Sequence, residues 1–127
     1  MLDKDSAWGR DNGLRSIIPT ALTFGISGYP FVLPDMIGGN GIMDDLDQGT
    51  GGGKGGLPER ELYVRWTELA AFLPAMQFSL APWQYDNVTV DIARKYARLH
   101  QTAVGDMIEA AAKDAVLHGR DTTSTSF

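Results

Sequence analysis

Apolar residues Leu14, Ile17, Ile18, Ala21 and Leu22 recur at i, i+3, i+4, i+7 and i+8, the stripe of an amphipathic helix. Asp11 and Asn12 ahead of it are natural caps, Pro19 predicts a kink or a first helical turn, and Gly25 and Gly28 close the element. Phe31, Val32 and Leu33 are too few for a helix and are bounded by Pro30 and Pro34, which predicts a short buried parallel strand with Asp35 just beyond its end. Residues 38–56 are rich in glycine and aspartate without periodicity and read as a long loop. Pro58 then suits a first helical turn, with Leu62, Trp66, Leu69 and Leu73 on one face and an exposed Glu61/Arg65 pair. Pro74 ends that helix. Met76, Phe78 and Leu80 alternate with Gln77 and Ser79 as a second strand, and from Asn87, a good N-cap, a longer helical region runs through Ile92, Tyr96, Leu99 and Ala103. It continues through Val104, Met107, Ile108, Ala111 and Ala115, with Gly105 as a divider and Gly119 as a stop.

This order of helix, strand, helix, strand, helix is the alternation of a parallel α/β fold and covers about two and a half βα units. A complete (β/α)8 barrel needs about 250 residues, so the 127 residues here encode only part of one. Residues 119–127 carry little apolar content and no period, and are expected to form a disordered tail behind a folded unit of residues 1–118.

Composition narrows the function classes. With 43% apolar and 21% charged residues the chain resembles a folded globular protein. Its net charge of −5, with scattered basic residues, argues against a nucleic-acid partner. No apolar run approaches the roughly 20 residues that span a bilayer. The absence of cysteine excludes disulfides and thiolate metal sites and leaves the compartment open. Asn87-Val88-Thr89 fits an N-glycosylation acceptor as well as a helix start.

The run Gly28-Tyr-Pro-Phe-Val-Leu-Pro-Asp-Met-Ile-Gly-Gly-Asn40, followed by Glu59-Arg-Glu-Leu-Tyr-Val-Arg-Trp66 and Phe72-Leu-Pro-Ala-Met-Gln-Phe-Ser79, resembles glycoside hydrolase family 31. The likeness extends from about Leu2 to His100 and is strongest toward the branch that includes the myogenesis-regulating glycosidase. It implies the later part of a TIM-barrel catalytic domain of a retaining α-glycosidase, acting on terminal α-galactosides or α-glucosides without a cofactor or metal. The rest of the barrel and the nucleophile are expected upstream, so the isolated chain is expected to be inactive. A non-catalytic interaction fragment or truncated pseudo-enzyme is the competing class.

In this family the acid/base aspartate precedes a tryptophan by five residues, and counting back from Trp8 lands on Asp3. Asp5 and Asp11 are its rivals. An aspartate in an Asp-Ile-Gly-Gly setting holds sugar hydroxyls, and Asp35 in Asp35-Met36-Ile37-Gly38-Gly39 matches it, against the plainer reading of a turn residue. The Arg-Asn-His histidine of many members is lost, because the equivalent stretch is Met76-Gln77-Phe78-Ser79. Gln77 could contact sugar through its amide, Trp8 could close one side of the pocket, and Trp83 and Tyr85 could stack on a sugar face, although packing is the commoner use of such aromatics. Trp66, on an apolar stripe, reads as core.

Two other motifs fail. The glycine-rich residues 49–56 lack the first glycine and the final Ser or Thr of a phosphate loop, and Asp44, Asp45 and Asp47 lack the later ligands of an EF-hand. His100 and His118 have no partners at metal-ligand spacing.

Overall fold

A computed structural model describes residues 3–39 and 57–118. After a 3₁₀ turn at Leu14–Ser16 come the helices α1 (Ile17–Ile26), α2 (Arg60–Ala70), α3 (Asn87–Leu99) and α4 (Gly105–His118), with a second 3₁₀ turn at Pro82–Gln84 and a π-helical turn at His100–Val104 joining the last two. The expected helices are all present. Gly105 divides the last region as expected, by opening α4 after the π turn.

Their ends differ from expectation. Asp11 and Asn12 do not cap α1: Gly13 and Ser16 hold the cap positions, and Asn12 Nδ2 instead donates to Asp5 Oδ2 at 3.1 Å. Pro58 lies ahead of the Glu59 cap position, outside the first turn of α2. Asp86 rather than Asn87 caps α3, its carboxylate accepting the Thr89 N–H at 2.6 Å. A charged acceptor at the positive helix end outcompetes the neutral amide one residue later. At the other end of α1, Gly28 at φ +91° donates its N–H to Gly25 O and Tyr29 donates to Phe24 O, both at 2.9 Å. This paired closure needs a left-handed residue, which is why glycine stands there.

The two strands require correction. Among the described residues neither forms a ladder, and the two segments meet only at a parallel bridge between Ile37 and Phe78. Ile37 donates to Gln77 O at 2.8 Å, and Ser79 donates back to Ile37 O at 3.0 Å. The direction is the expected parallel one, but the pairing falls at Ile37, beyond Phe31, Val32 and Leu33. Pro30 and Pro34 lack the N–H groups a ladder needs.

The core lies where α2 covers this bridge. Leu62, Tyr63, Trp66 and Ala70 bury against Ile17, Ile37 and Leu80, with Trp66, as expected, only 1% exposed. α1 is less fully covered. Ile17, Ala21 and Gly25 form its buried row, whereas Ile18, Leu22 and Ile26, the adjacent row at the same i+4 spacing, remain exposed together with Tyr29 and Phe31.

Tyr63 fastens this core. Its hydroxyl donates to Leu80 O at 2.6 Å, its ring lies 4.6 Å from that of Tyr85, and the Tyr85 hydroxyl donates to Pro58 O at 2.9 Å. Burial, aided by Tyr85, pushes the Tyr63 hydroxyl well above the usual range, and burial pushes Tyr85 up to about 12. A pKa raised on folding stabilises fully below the unfolded tyrosine value of about 10 and ceases to do so as pH climbs through the folded values. Stability is therefore expected to fall from about pH 10 upward, read by circular dichroism alongside tyrosinate absorbance. Tyr63→Phe is expected to cost about 1–2 kcal/mol at neutral pH by orphaning the Leu80 carbonyl, and to flatten the alkaline loss. An alkaline limb identical to that of the parent would show that Tyr63 does not govern it.

Candidate active site

The segment leading into α1 alternates in burial: Asp3 is exposed, Lys4 buried, Asp5 half-buried and Ser6 buried. Lys4 and Ser6 therefore turn inward and Asp3 outward, while Asp5 pairs with Asn12. The inward pair clamps the region after Val32. The Lys4 N–H donates to Asp35 Oδ2 at 2.8 Å, and Ser6 Oγ donates to Gly39 O at 2.6 Å. Gly39 in turn donates its N–H to Met36 O at 2.8 Å, closing the turn that Asp35 opens. Two sequence-predicted residues, Asp3 and Asp35, are thus brought together: the neighbour of one holds the carboxylate of the other.

Asp35 is unusual in its backbone. It is the one non-glycine residue with positive φ, at +89°, among the described residues. Such a conformation costs about 1–3 kcal/mol and persists where surrounding contacts enforce it, commonly at functional sites. The enforcing contacts are its own: Oδ1 accepts the Met36 N–H at 2.6 Å while Oδ2 accepts that of Lys4. A carboxylate offers about four lone-pair directions, so acceptor capacity remains. At 3% exposure the side chain is closely covered by the clamp and the turn.

The rival carboxylates have other surroundings. Asp5 accepts from Asn12, and its N–H donates to Asn12 O at 3.1 Å, which ties off the loop before α1. That loop is tight. Leu14 donates to Ala7 O at 2.8 Å, and a Cβ on Gly13 would collide with the same Ala7 carbonyl. Asp11 is exposed.

The remaining sequence-predicted residues stand at different depths. Trp8 is half-buried, packs its ring against the core and donates Nε1 to Glu59 Oε2 at 2.9 Å, which links the N-terminal segment to the start of α2. Gln77 gives its carbonyl to Ile37 and keeps its residue exposed beside the bridge. Trp83 is 75% exposed, whereas Tyr85 packs on the core. His100 Nδ1 lies 3.0 Å from Ala71 O, a bond that the Nδ1-protonated ring donates, and His118 pairs with Asp114 at 2.9 Å. The glycine-rich run and the acidic cluster Asp44, Asp45 and Asp47 lie outside the described residues, as do Gly119 and the tail. Among the described residues no group of three or more His, Asp or Glu side chains is placed to hold a metal ion. No described helix is long and apolar enough to cross a membrane.

Sequence reasoning missed Lys4, Ser6, Ser16 and Thr20. Ser16 and Thr20 left a signal, two hydroxyl residues spaced i, i+4 on the flank of an otherwise apolar stripe, whereas Lys4 and Ser6 sit in a uniformly polar run that left none.

A buried carboxylate two residues before the parallel bridge, pinned beside an exposed aspartate on the incoming segment, is compatible with the rim of a barrel active site. A family model of the glycosyl hydrolases family 31 TIM-barrel domain matches residues 3–104. The chain belongs to glycosyl hydrolase family 31. Mouse myogenesis-regulating glycosidase is 55% identical over 108 residues, covering 85% of this chain and 15% of that protein. SITS-binding protein of Tetronarce californica is 37% identical over 105 residues, 82% of this chain and 13% of that protein. Sulfoquinovosidase of Escherichia coli K12 is 29% identical over 119 residues, 90% of this chain and 16% of that protein. Within family 31 the chain falls in the branch of the myogenesis-regulating glycosidase, and it spans between 13% and 16% of the length of these relatives. The (β/α)8 barrel is the fold of the matched domain, and among the described residues one isolated parallel bridge, Ile37 to Phe78, is formed.

Proposed function

We propose that residues 1–118 form the later part of a family 31 barrel whose activity is hydrolysis of a terminal α-linked glycoside with retention of configuration. Asp3 is the acid/base: it protonates the leaving oxygen and later deprotonates water. Asp35 accepts hydrogen bonds from a vicinal hydroxyl pair of the sugar, with Trp8 and Gln77 bordering the same rim. The Lys4 N–H to Asp35 bond supports this most directly, since it holds Asp35 one residue away from Asp3. The exposed row Ile18, Leu22 and Ile26 supports the barrel reading as well, because barrel helices pack side by side in a ring.

Among α-linked substrates we place α-galactosides first and α-glucosides second, as the resemblance implies. Absence of the Arg-Asn-His histidine argues against ordinary α-glucosidase recognition. In the barrel-length protein that carries these residues, proton NMR of an aryl α-galactoside digest is expected to show the α-anomer of the free sugar first. Initial appearance of the β-anomer would replace retention by inversion.

We further propose that the 127-residue chain does not turn over by itself. Retention requires a second carboxyl group about 5–5.5 Å from the acid/base to form the glycosyl-enzyme intermediate, and in this reading that nucleophile belongs to an earlier strand of the barrel. Nitrophenol release from aryl α-galactoside or α-glucoside is expected to equal the buffer control. Release above it that disappears in Asp3→Asn would overturn this. The competing reading, a non-catalytic interaction fragment, draws on the same exposed apolar row of α1. A monodisperse, cooperatively melting chain that binds no sugar would support it.

A further inference from the structure

We infer that Lys4 is a positioning residue that sets the relative placement of Asp3 and Asp35. This deepens the acid/base reading of Asp3 and rests on it. Lys4 is only 6% exposed, a rare condition for lysine, and its Nζ donates to Ser16 Oγ at 2.8 Å and to Thr20 Oγ1 at 3.3 Å. Both hydroxyls are oriented to receive it. Ser16 Oγ donates its hydrogen to Gly13 O at 2.7 Å, and Thr20 Oγ1 donates its own to Ser16 O at 2.6 Å. A hydroxyl has one hydrogen to give, so with that hydrogen committed to a carbonyl each oxygen turns its lone pairs toward the ammonium. The chain of bonds from Nζ through Ser16 to Gly13 is also mutually polarising in a buried setting.

The two ends of Lys4 thus do different work. Its side chain is fixed to the first turn of α1, and its main-chain N–H is fixed to the Asp35 carboxylate. The residue is a strut between a helix and the turn at Asp35. Asp3 extends from the fixed end of that strut, with Ser6 bound to Gly39 as a second fixing point two residues on. Held this way, the exposed Asp3 keeps a defined station relative to Asp35 although its own side chain faces solvent.

The test uses the barrel-length protein that carries these residues and compares glycosides of graded leaving-group acidity. Lys4→Met keeps an apolar stem of similar length but removes the ammonium. It is expected to lower kcat by about 10- to 100-fold on poor leaving groups, the penalty for misplacing a catalytic group by about 1 Å. Activated aryl glycosides, which need no proton from Asp3, are expected to lose far less. Lys4→Arg, which retains a cation with several donors, is expected to recover part of the loss, and Ser16→Ala to shift the leaving-group dependence the same way by a smaller amount. If Asp3→Ala steepens that dependence while Lys4→Met and Ser16→Ala lower only the melting temperature, Lys4 is structural and the inference falls. If Asp3→Ala leaves the dependence flat, the acid/base reading falls and this inference with it. Should Lys4→Met not fold, Ser16→Ala decides alone by the same criterion.

Discussion

Asp3→Ala in the barrel-length protein is expected to slow hydrolysis of glycosides with poor leaving groups by about 10²–10⁴-fold, the usual contribution of a positioned proton donor. Activated aryl glycosides should keep most of their first-step rate, because a good leaving group departs without protonation. Their second step should become slow, since water has lost its general base, and a glycosyl-enzyme should accumulate as a burst. Azide needs no base. Added azide should therefore restore turnover and yield a glycosyl azide of retained configuration. Asp5→Ala serves as the internal contrast: it frees Asn12 Nδ2 and loosens the loop before α1, so it should lower the melting temperature without leaving-group selectivity. If leaving-group selectivity and azide response appear instead in Asp5→Ala or Asp11→Ala, the proton donor is that other carboxylate.

The helices were legible because each carries its own period. The stripes through Ile17 and Ala21, and through Leu62 and Trp66, are local patterns whose buried face needs only one covering layer. Their ends were less legible, since competition among neighbouring polar groups decides them: Asp86 won over Asn87, and Asn12 was drawn away to Asp5. The strands were the least legible. A strand's pairing depends on partners distant in sequence, and three apolar residues between prolines say nothing of where the ladder forms. Among the described residues the pairing is a single bridge at Ile37, where the chain has N–H and C=O groups to exchange with Gln77 and Ser79.

The site was legible through spacing and not through contact. Asp3 and Asp35 are 32 residues apart in the chain, and nothing local to either predicts that residue 4 bridges them. Lys4 was hidden for a physical reason. A lysine between two aspartates reads as a solvated charge, and only the fold shows it turned inward onto Ser16 and Thr20. Asp35 was visible as a carboxylate at a strand end, but its positive φ was not, because aspartate tolerates that region without announcing it as glycine does.

That backbone makes Asp35 the more searching test of the proposed function, since a turn residue and a sugar ligand respond differently to the same substitutions. Asp35→Ala removes the acceptor for the Lys4 and Met36 N–H groups and places a residue poorly suited to positive φ there, so both readings foresee lost stability. Asp35→Asn separates them. Asparagine adopts positive φ readily, and its side-chain oxygen can still accept one of the two N–H bonds, so the fold should survive with a modest drop in melting temperature. The negative charge is gone, however, and with it a charge-assisted bond to sugar hydroxyls of about 1.5–3 kcal/mol. We therefore expect kcat/KM to fall by about 10- to 150-fold in folded Asp35→Asn. The loss should shrink sharply on a substrate analogue lacking the hydroxyl that Asp35 receives, because wild type then has no bond to lose. Asp44→Ala, a change of charge in the acidic cluster of residues 44–47, is expected to alter kcat/KM little. Folded Asp35→Asn with kcat/KM unchanged on every substrate would reduce Asp35 to the residue that turns the chain.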